Sequence, residues 1–182
     1  MDRVKVNGKF FKKQIDREAI KKEIKRLAAE IDRDMAGSNP LVICVMTGAM
    51  FFAADLLREV STECEITSVR LKSYEGTGST GHVSIGGMLK RSEIEGRNLL
   101  IIEDIVDTGL SLSSFVSELE ESAPASIRIA ALLSKPDARK YRVKTDYLAF
   151  EIPNLFVVGY GLDYDGYGRG LKEIYILDDN QL

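Results

Sequence analysis

Residues 99–111 read LLIIEDIVDTGLS. Leu99 to Ile102 are aliphatic without interruption, and they run directly into Glu103, Asp104 and Asp107, with Thr108-Gly109-Leu110-Ser111 behind. A short continuous aliphatic run is the pattern of a strand buried on both faces, so the acids fall at its carboxyl end. Val106 to Leu110 read as the turn. SLSSFVSELEES, from Ser111, has Leu112, Phe115, Val116 and Leu119 at helical spacing, and the Ser111 hydroxyl can cap that helix.

Outward from this segment the element types alternate. DREAIKKEIKRLAAEIDRDM places Ile20, Ile24, Leu27 and Ile31 on one helical face behind a capping Asp16, with Gly37 beyond the end. LVICVM (41–46) is a second buried strand, and AMFFAADLLREV a helix after Thr47-Gly48. CEITSVRLKSY resumes strand character before a loop rich in Gly, Ser and Thr. SIRIAALLS, DYLAFEI and FVVGYGL are further strand candidates. Strand and helix in alternation imply an α/β fold with a mostly parallel, twisted sheet flanked by helices. Length, 182 residues, fits one domain spanning 1–182.

Composition excludes several classes of function. A formal net charge of -3 gives no electrostatic case for nucleic acid or an anionic membrane. Cys44 and Cys64 lack C-x-x-C spacing and a neighbouring His, so they read as reduced, structural thiols. The first fourteen residues hold no apolar stretch of signal-peptide type, and no run nears the roughly 18 residues of a membrane span. A soluble, cytoplasmic protein without membrane or nucleic-acid partners is the expectation.

In parallel sheets ligands bind beyond the carboxyl ends of the strands. The segment 103–111 offers two kinds of recognition there. Its carboxylates suit sugar hydroxyls, Mg2+-linked groups or a proton, whereas the N–H groups of the turn and the helix dipole suit a phosphate. Gly109 lets the backbone approach a ligand or take positive φ. A ribose 5-phosphate carries both features. An acidic cluster by itself is also compatible with a solvated strand end.

The stretch resembles the phosphoribosyl-diphosphate binding motif of type I phosphoribosyltransferases: aliphatic residues, Glu-Asp, two aliphatics, Asp-Thr-Gly, one variable residue, then Ser or Thr. VMTGAMFFAADLL near 45, VRLKSYEGTGSTG near 69, ALLSKPDAR near 131 and EIPNLFVVGYGLDYDGYGRGL from 151 are similar to the hypoxanthine-guanine branch of that family, in its order and spacing. The resemblance implies the type I fold, with a small hood built from the chain ends and a mobile flap at about 73–87. It implies purine salvage: transfer of the 5-phosphoribosyl group from 5-phospho-α-D-ribose 1-diphosphate to N9 of hypoxanthine, and of guanine, with Mg2+ as cofactor, in a homodimer or homotetramer.

Carried over by position, the resemblance assigns Glu103 and Asp104 to the ribose hydroxyls and, with Asp163, to the metal. Asp107 is the candidate general base near purine N7. Asp107, Thr108, Gly109, Leu110 and Ser111 would cradle the 5′-phosphate through N–H groups in a cation-poor pocket. Thr47, Gly48 and Arg169 would face pyrophosphate, with a non-proline cis peptide at Met46-Thr47. Lys135, Phe156, Val157 and Asp163 would bind the base, Lys135 donating to its 6-oxo group and Phe156 stacking. Ser73 and Tyr74 would close over the reaction centre.

Each residue also has a plainer reading: Lys135 a solvated lysine, Phe156 sheet core, Asp163 a turn acid, Arg169 a surface charge. The family gives His82 no role. Thr47 stands where many relatives have Lys or Arg, and Leu110 where some have Lys. Two other functions compete: a nucleotide-sensing regulator on the same fold, which should show a basic face and lose base-site residues, and an enzyme preferring xanthine.

Overall fold

The computed structural model describes residues 2–73, 83–87 and 89–178, with residues 72, 73 and 83–85 described by backbone alone. The order is β1 (Arg3–Val6), β2 (Lys9–Ile15), α1 (Arg17–Met35), β3 (Leu41–Val45), α2 (Met50–Glu59), β4 (Glu65–Ser73), β5 (Val83–Gly86), α3 (Arg91–Ile94), β6 (Asn98–Val106), α4 (Leu110–Glu120), β7 (Ser126–Ser134), a 3-10 turn (Pro136–Ala138), β8 (Tyr147–Glu151), β9 (Val157–Val158) and β10 (Ile174–Leu177).

Two sheets result. The larger has strand order β5-β4-β3-β6-β7-β8; its five strands from β4 to β8 are parallel, and β5 is antiparallel to β4. β3 is buried at every position, as its unbroken aliphatic sequence requires when helices cover both faces. One core lies between the sheet and helices α1 and α2, built on Ile20, Leu27, Ile31, Phe52 and Leu56. The other lies under α4, built on Leu112, Phe115 and Leu119 against Ile43, Leu99 and Ile101. Asp16 caps α1 as expected, its carboxylate accepting from Ala19 N at 2.8 Å.

The smaller sheet, β1-β2-β10-β9, is the hood. It joins the two ends of the chain, since β10 pairs with β2 on one side and β9 on the other. FVVGYGL, expected as one more strand, contributes only Val157–Val158, and to this second sheet. The reason is local: Gly159, Tyr160 and Gly161 have φ of 100°, 50° and 107°, which ends extended structure at once.

The turn after β6 also differs from its sequence reading. Ser111 is not the cap of α4; Gly109 occupies that position with φ 85° and no side-chain cap bond. A left-handed residue there starts the helix at Leu110, placing Ser111 inside the first turn, and Thr108 Oγ1 accepts from Leu110 N at 3.3 Å.

Candidate active site

A cleft of about 370 Å3 opens at the carboxyl ends of β3 and β6, lined by the turn from Met46 to Gly48, by residues 103–112, and from the hood side by Asp163 and Arg169. It thus collects the expected ribose, phosphate and pyrophosphate residues in one place.

Its floor is acidic and closely packed. Glu103 is buried, at 8% exposure. Burial first, and the Asp104 charge second, push its carboxyl well above the usual range. Asp104 accepts from its neighbour Ile105 N at 2.8 Å, and its own N–H donates to Glu103 Oε1 at 3.1 Å. Two adjoining carboxyls, one of them out of water, favour a positive charge or hydroxyl donor placed between them.

Gly48 makes this packing possible. A Cβ there would lie 1.7 Å from Asp104 Oδ2, and one on Gly161 would lie 1.9 Å from Gly48 O. The β3–α2 turn, Asp104 and the hood loop therefore meet without any intervening side chain. The Met46–Thr47 peptide bond in this turn is cis, as the family resemblance implies, and Thr47 O accepts from Met50 N.

Above the floor, Asp107 pairs with Lys135, Nζ to Oδ2 at 3.0 Å. Lys135 is 7% exposed and follows β7 directly, its backbone N–H bonded to Val106 O at 3.0 Å. The solvated-lysine reading is thereby excluded. Asp163 and Arg169 form a second pair: Arg169 Nη2 reaches Asp163 Oδ1 at 2.6 Å while Nη1 donates to Gly161 O at 2.7 Å. Asp163 is also a turn acid, since its Oδ2 accepts from Gly166 N at 2.6 Å.

Phe156 is not sheet core. It is 46% exposed, edge-on to Tyr164 at 5.6 Å between ring centroids and 6.4 Å from Phe11. Val157 is buried in β9, paired with Ile176. These two hood residues and Lys135 do not line the cleft itself; Lys135 reaches it through Asp107. Ser73 ends β4, paired with Val83 across the antiparallel arm, and its side chain is not described. Tyr74, with the rest of 74–82, lies outside the described residues.

Sequence reasoning missed what stands behind the turn that follows β6. Lys140 N and Tyr141 N both donate to Thr108 O, at 2.9 and 3.0 Å. A Cβ on Gly109 would meet Tyr141 O at 2.7 Å and Arg139 Cδ at 3.2 Å. The close approach that Gly109 permits is thus to this strap, at least on its rear side. Arg139 sat inside the motif stretch ALLSKPDAR without an assigned role; nothing in the spacing revealed that it folds back against residue 109.

A family model described as phosphoribosyl transferase domain matches residues 12–165. The chain belongs to the phosphoribosyltransferase family. Within it, the chain is 43% identical over 164 residues to a hypoxanthine-guanine phosphoribosyltransferase of Bacillus subtilis, covering 90% of this chain and 91% of the relative. It is 40% identical over 162 residues to a hypoxanthine-guanine-xanthine phosphoribosyltransferase of Tritrichomonas foetus, covering 88% of each. Among solved structures, a hypoxanthine phosphoribosyltransferase of Staphylococcus aureus superimposes with a TM-score of 0.87 at 36% identity, covering 92% of this chain and 91% of the other.

Proposed function

We propose that the chain is a purine-salvage enzyme that transfers the 5-phosphoribosyl group from phosphoribosyl diphosphate to N9 of hypoxanthine and guanine, giving IMP or GMP and pyrophosphate. The observation that carries this is the single cleft in which Glu103-Asp104, the 107–111 turn, Thr47-Gly48 and Arg169 converge. Membership of the family and similarity to hypoxanthine-guanine enzymes over most of the chain support the same reading.

Phosphoribosyl transfer by displacement at C1′ develops positive charge on the ribose, and the acidic floor favours that charge. Glu103 and Asp104 accept from the ribose hydroxyls. The N–H groups at the start of α4 hold the 5′-phosphate, while Arg169 exchanges Asp163 for the departing pyrophosphate. Lys135 donates to the 6-oxo group, and a 6-amino group would present it with a second donor, which disfavours adenine. Asp107, beside Lys135, holds or accepts the purine proton near N7.

Among the described residues no group of three or more His, Cys, Asp or Glu side chains forms a metal cage. Mg2+ commonly binds one or two carboxylates together with substrate phosphates, and the Glu103–Asp104 pair fits that role, with Asp163 also lining the cleft. When bound, the ion would neutralise the diphosphate leaving group. A homodimer or homotetramer in the cytoplasm completes the proposal; among the described residues no helix is long and apolar enough to cross a membrane.

The test is a spectrophotometric assay with Mg2+ and phosphoribosyl diphosphate, offering hypoxanthine, guanine, xanthine and adenine separately. Conversion of hypoxanthine or guanine, with adenine inert, is expected. Binding of the ribosyl donor without conversion of any base would favour the nucleotide-sensing alternative. Xanthine is included because the Tritrichomonas relative is named for it.

A further inference from the structure

We infer that Arg139 is a positioning residue for the substrate's 5′-phosphate, acting from behind the 107–109 turn through the strap it anchors; the choice of substrate rests on the function proposed above.

Three observations lead there. First, the strap holds the turn: the Thr108 carbonyl takes both N–H groups of Lys140 and Tyr141, and Gly109 lies against Tyr141 O and Arg139 Cδ so closely that no side chain fits between them. Second, the Arg139 guanidinium holds the strap. Nη2 donates to Ser134 Oγ at 2.7 Å and Nη1 to Val143 O at 3.0 Å. Ser134 ends β7 directly opposite Val106, the last residue of β6. The fork therefore ties the strap to the same strand ends from which the turn departs, and so fixes the height of the phosphate-binding N–H groups above the sheet. Third, the cation is uncompensated. Lys135 and Arg169 each lie against an acid of the site, Asp107 and Asp163, whereas Arg139 makes no ion pair among the described residues and its Nε is buried with no hydrogen-bond partner.

With Lys135 and Arg169 each held by an acid of the site, a phosphate entering beside Asp104 meets a repulsive field unless further positive charge stands close by. Arg139 supplies it without touching the ligand, across one layer of backbone. Lysine would keep the charge but not the two-pronged grip, since its ammonium is a point donor rather than a planar fork.

The experiment compares wild type, Arg139→Met, Arg139→Lys and Ser134→Ala by steady-state kinetics and by calorimetric titration with ribose 5-phosphate. Arg139→Met should raise KM for phosphoribosyl diphosphate and Kd for ribose 5-phosphate by about tenfold, leaving KM for hypoxanthine within about twofold and kcat comparatively little changed. Arg139→Lys should recover part of the loss. Ser134→Ala, which removes one acceptor and keeps the cation, should show about a threefold effect and serves if the Met variant does not fold. A residue that merely supports the fold would lower the thermal midpoint and the active fraction, and leave both KM values alone. That pattern, or equal rises for sugar and base, overturns the inference. If wild type transfers to no purine yet binds ribose 5-phosphate, the function fails and the titration still decides Arg139; if it does not bind ribose 5-phosphate, both fail.

Discussion

The ammonium of Lys135 lies 3.0 Å from the carboxylate of Asp107, 28 residues earlier in the chain. The contact links the ends of β6 and β7 and brings the expected 6-oxo donor beside the expected proton acceptor. Neither group need travel far to meet adjoining edges of one purine ring.

Removing either member should therefore damage the same step. Lys135→Gln loses a charged hydrogen bond, worth about 1.5–3 kcal/mol, so kcat/KM for hypoxanthine should fall about 10- to 100-fold. Discrimination against adenine should weaken in parallel. Asp107→Asn, which keeps size but cannot hold the proton, should lower kcat more than KM. Steady-state kinetics with both bases checks this, and a Lys135→Gln enzyme with unchanged base preference would remove Lys135 from the base site.

Gly48 carries a second prediction. A methyl group at residue 48 would overlap Asp104 Oδ2 and lie 2.5 Å from its Cγ, so Gly48→Ala must displace either the turn or Asp104. Overpacking of this kind costs about 1–3 kcal/mol, but activity should suffer more than stability because the displaced group is in the cleft. A loss of at least about 100-fold in kcat/KM, with the far-ultraviolet spectrum retained, is expected. Near-normal kinetics would show that Asp104 can move freely.

How far the sequence foretold this arrangement depended on the range of the interaction. The helix from Arg17 was legible because its face, Ile20, Ile24, Leu27 and Ile31, and its cap, Asp16, are local signals. β3 and β6 were legible because burial on both faces writes an unbroken aliphatic run. The hood strands were less so. β1 and β2 were not singled out, although Asn7-Gly8 between them, with φ of 42° and 84°, is a strong hairpin signal; β10 and β9 are too short to show a period and gain their identity from pairing with distant residues. The acids and Gly109 were visible as a pattern. That Gly109 would face Tyr141 O, or that Lys135 would be buried, depends on contacts about 30 residues apart, which spacing does not encode.

Asp32 offers a prediction on pH. It sits on α1 and accepts from Ser61 N at 2.9 Å, Thr62 N at 2.7 Å and Thr62 Oγ1 at 2.8 Å, fastening α1 to the end of α2. Partial burial acts to raise its pKa, but the bonds from Ser61 and Thr62 outweigh it and hold the carboxyl below its usual value. A depressed folded pKa contributes stability above the unfolded value, near 3.9, and that stability is lost as pH falls through the folded one. Asp32→Asn should thus be less stable at pH 7 by about 1 kcal/mol, and the gap should narrow below about pH 4. Denaturant titrations at pH 7 and pH 3.5 measure it; a gap independent of pH would mean that the carboxylate charge plays no part.

Phe156 separates binding from folding most cleanly. Its ring is half exposed and meets Tyr164 edge-on and Phe11 at a tilt, so it is braced by the hood's aromatic residues while much of its surface stays open. An aromatic ring held this way has more to give a planar base than to give the core. Phe156→Ala should raise KM for hypoxanthine by about tenfold, in line with the roughly 1–3 kcal/mol of a base–aromatic stack. KM for phosphoribosyl diphosphate should stay where it was, and the thermal midpoint should fall only slightly because little buried area is lost. Phe156→Tyr, which keeps the ring, should restore base binding. If the alanine variant instead loses stability while its KM for the base is unaltered, Phe156 belongs to the hood's packing, and the stacking residue must be sought elsewhere.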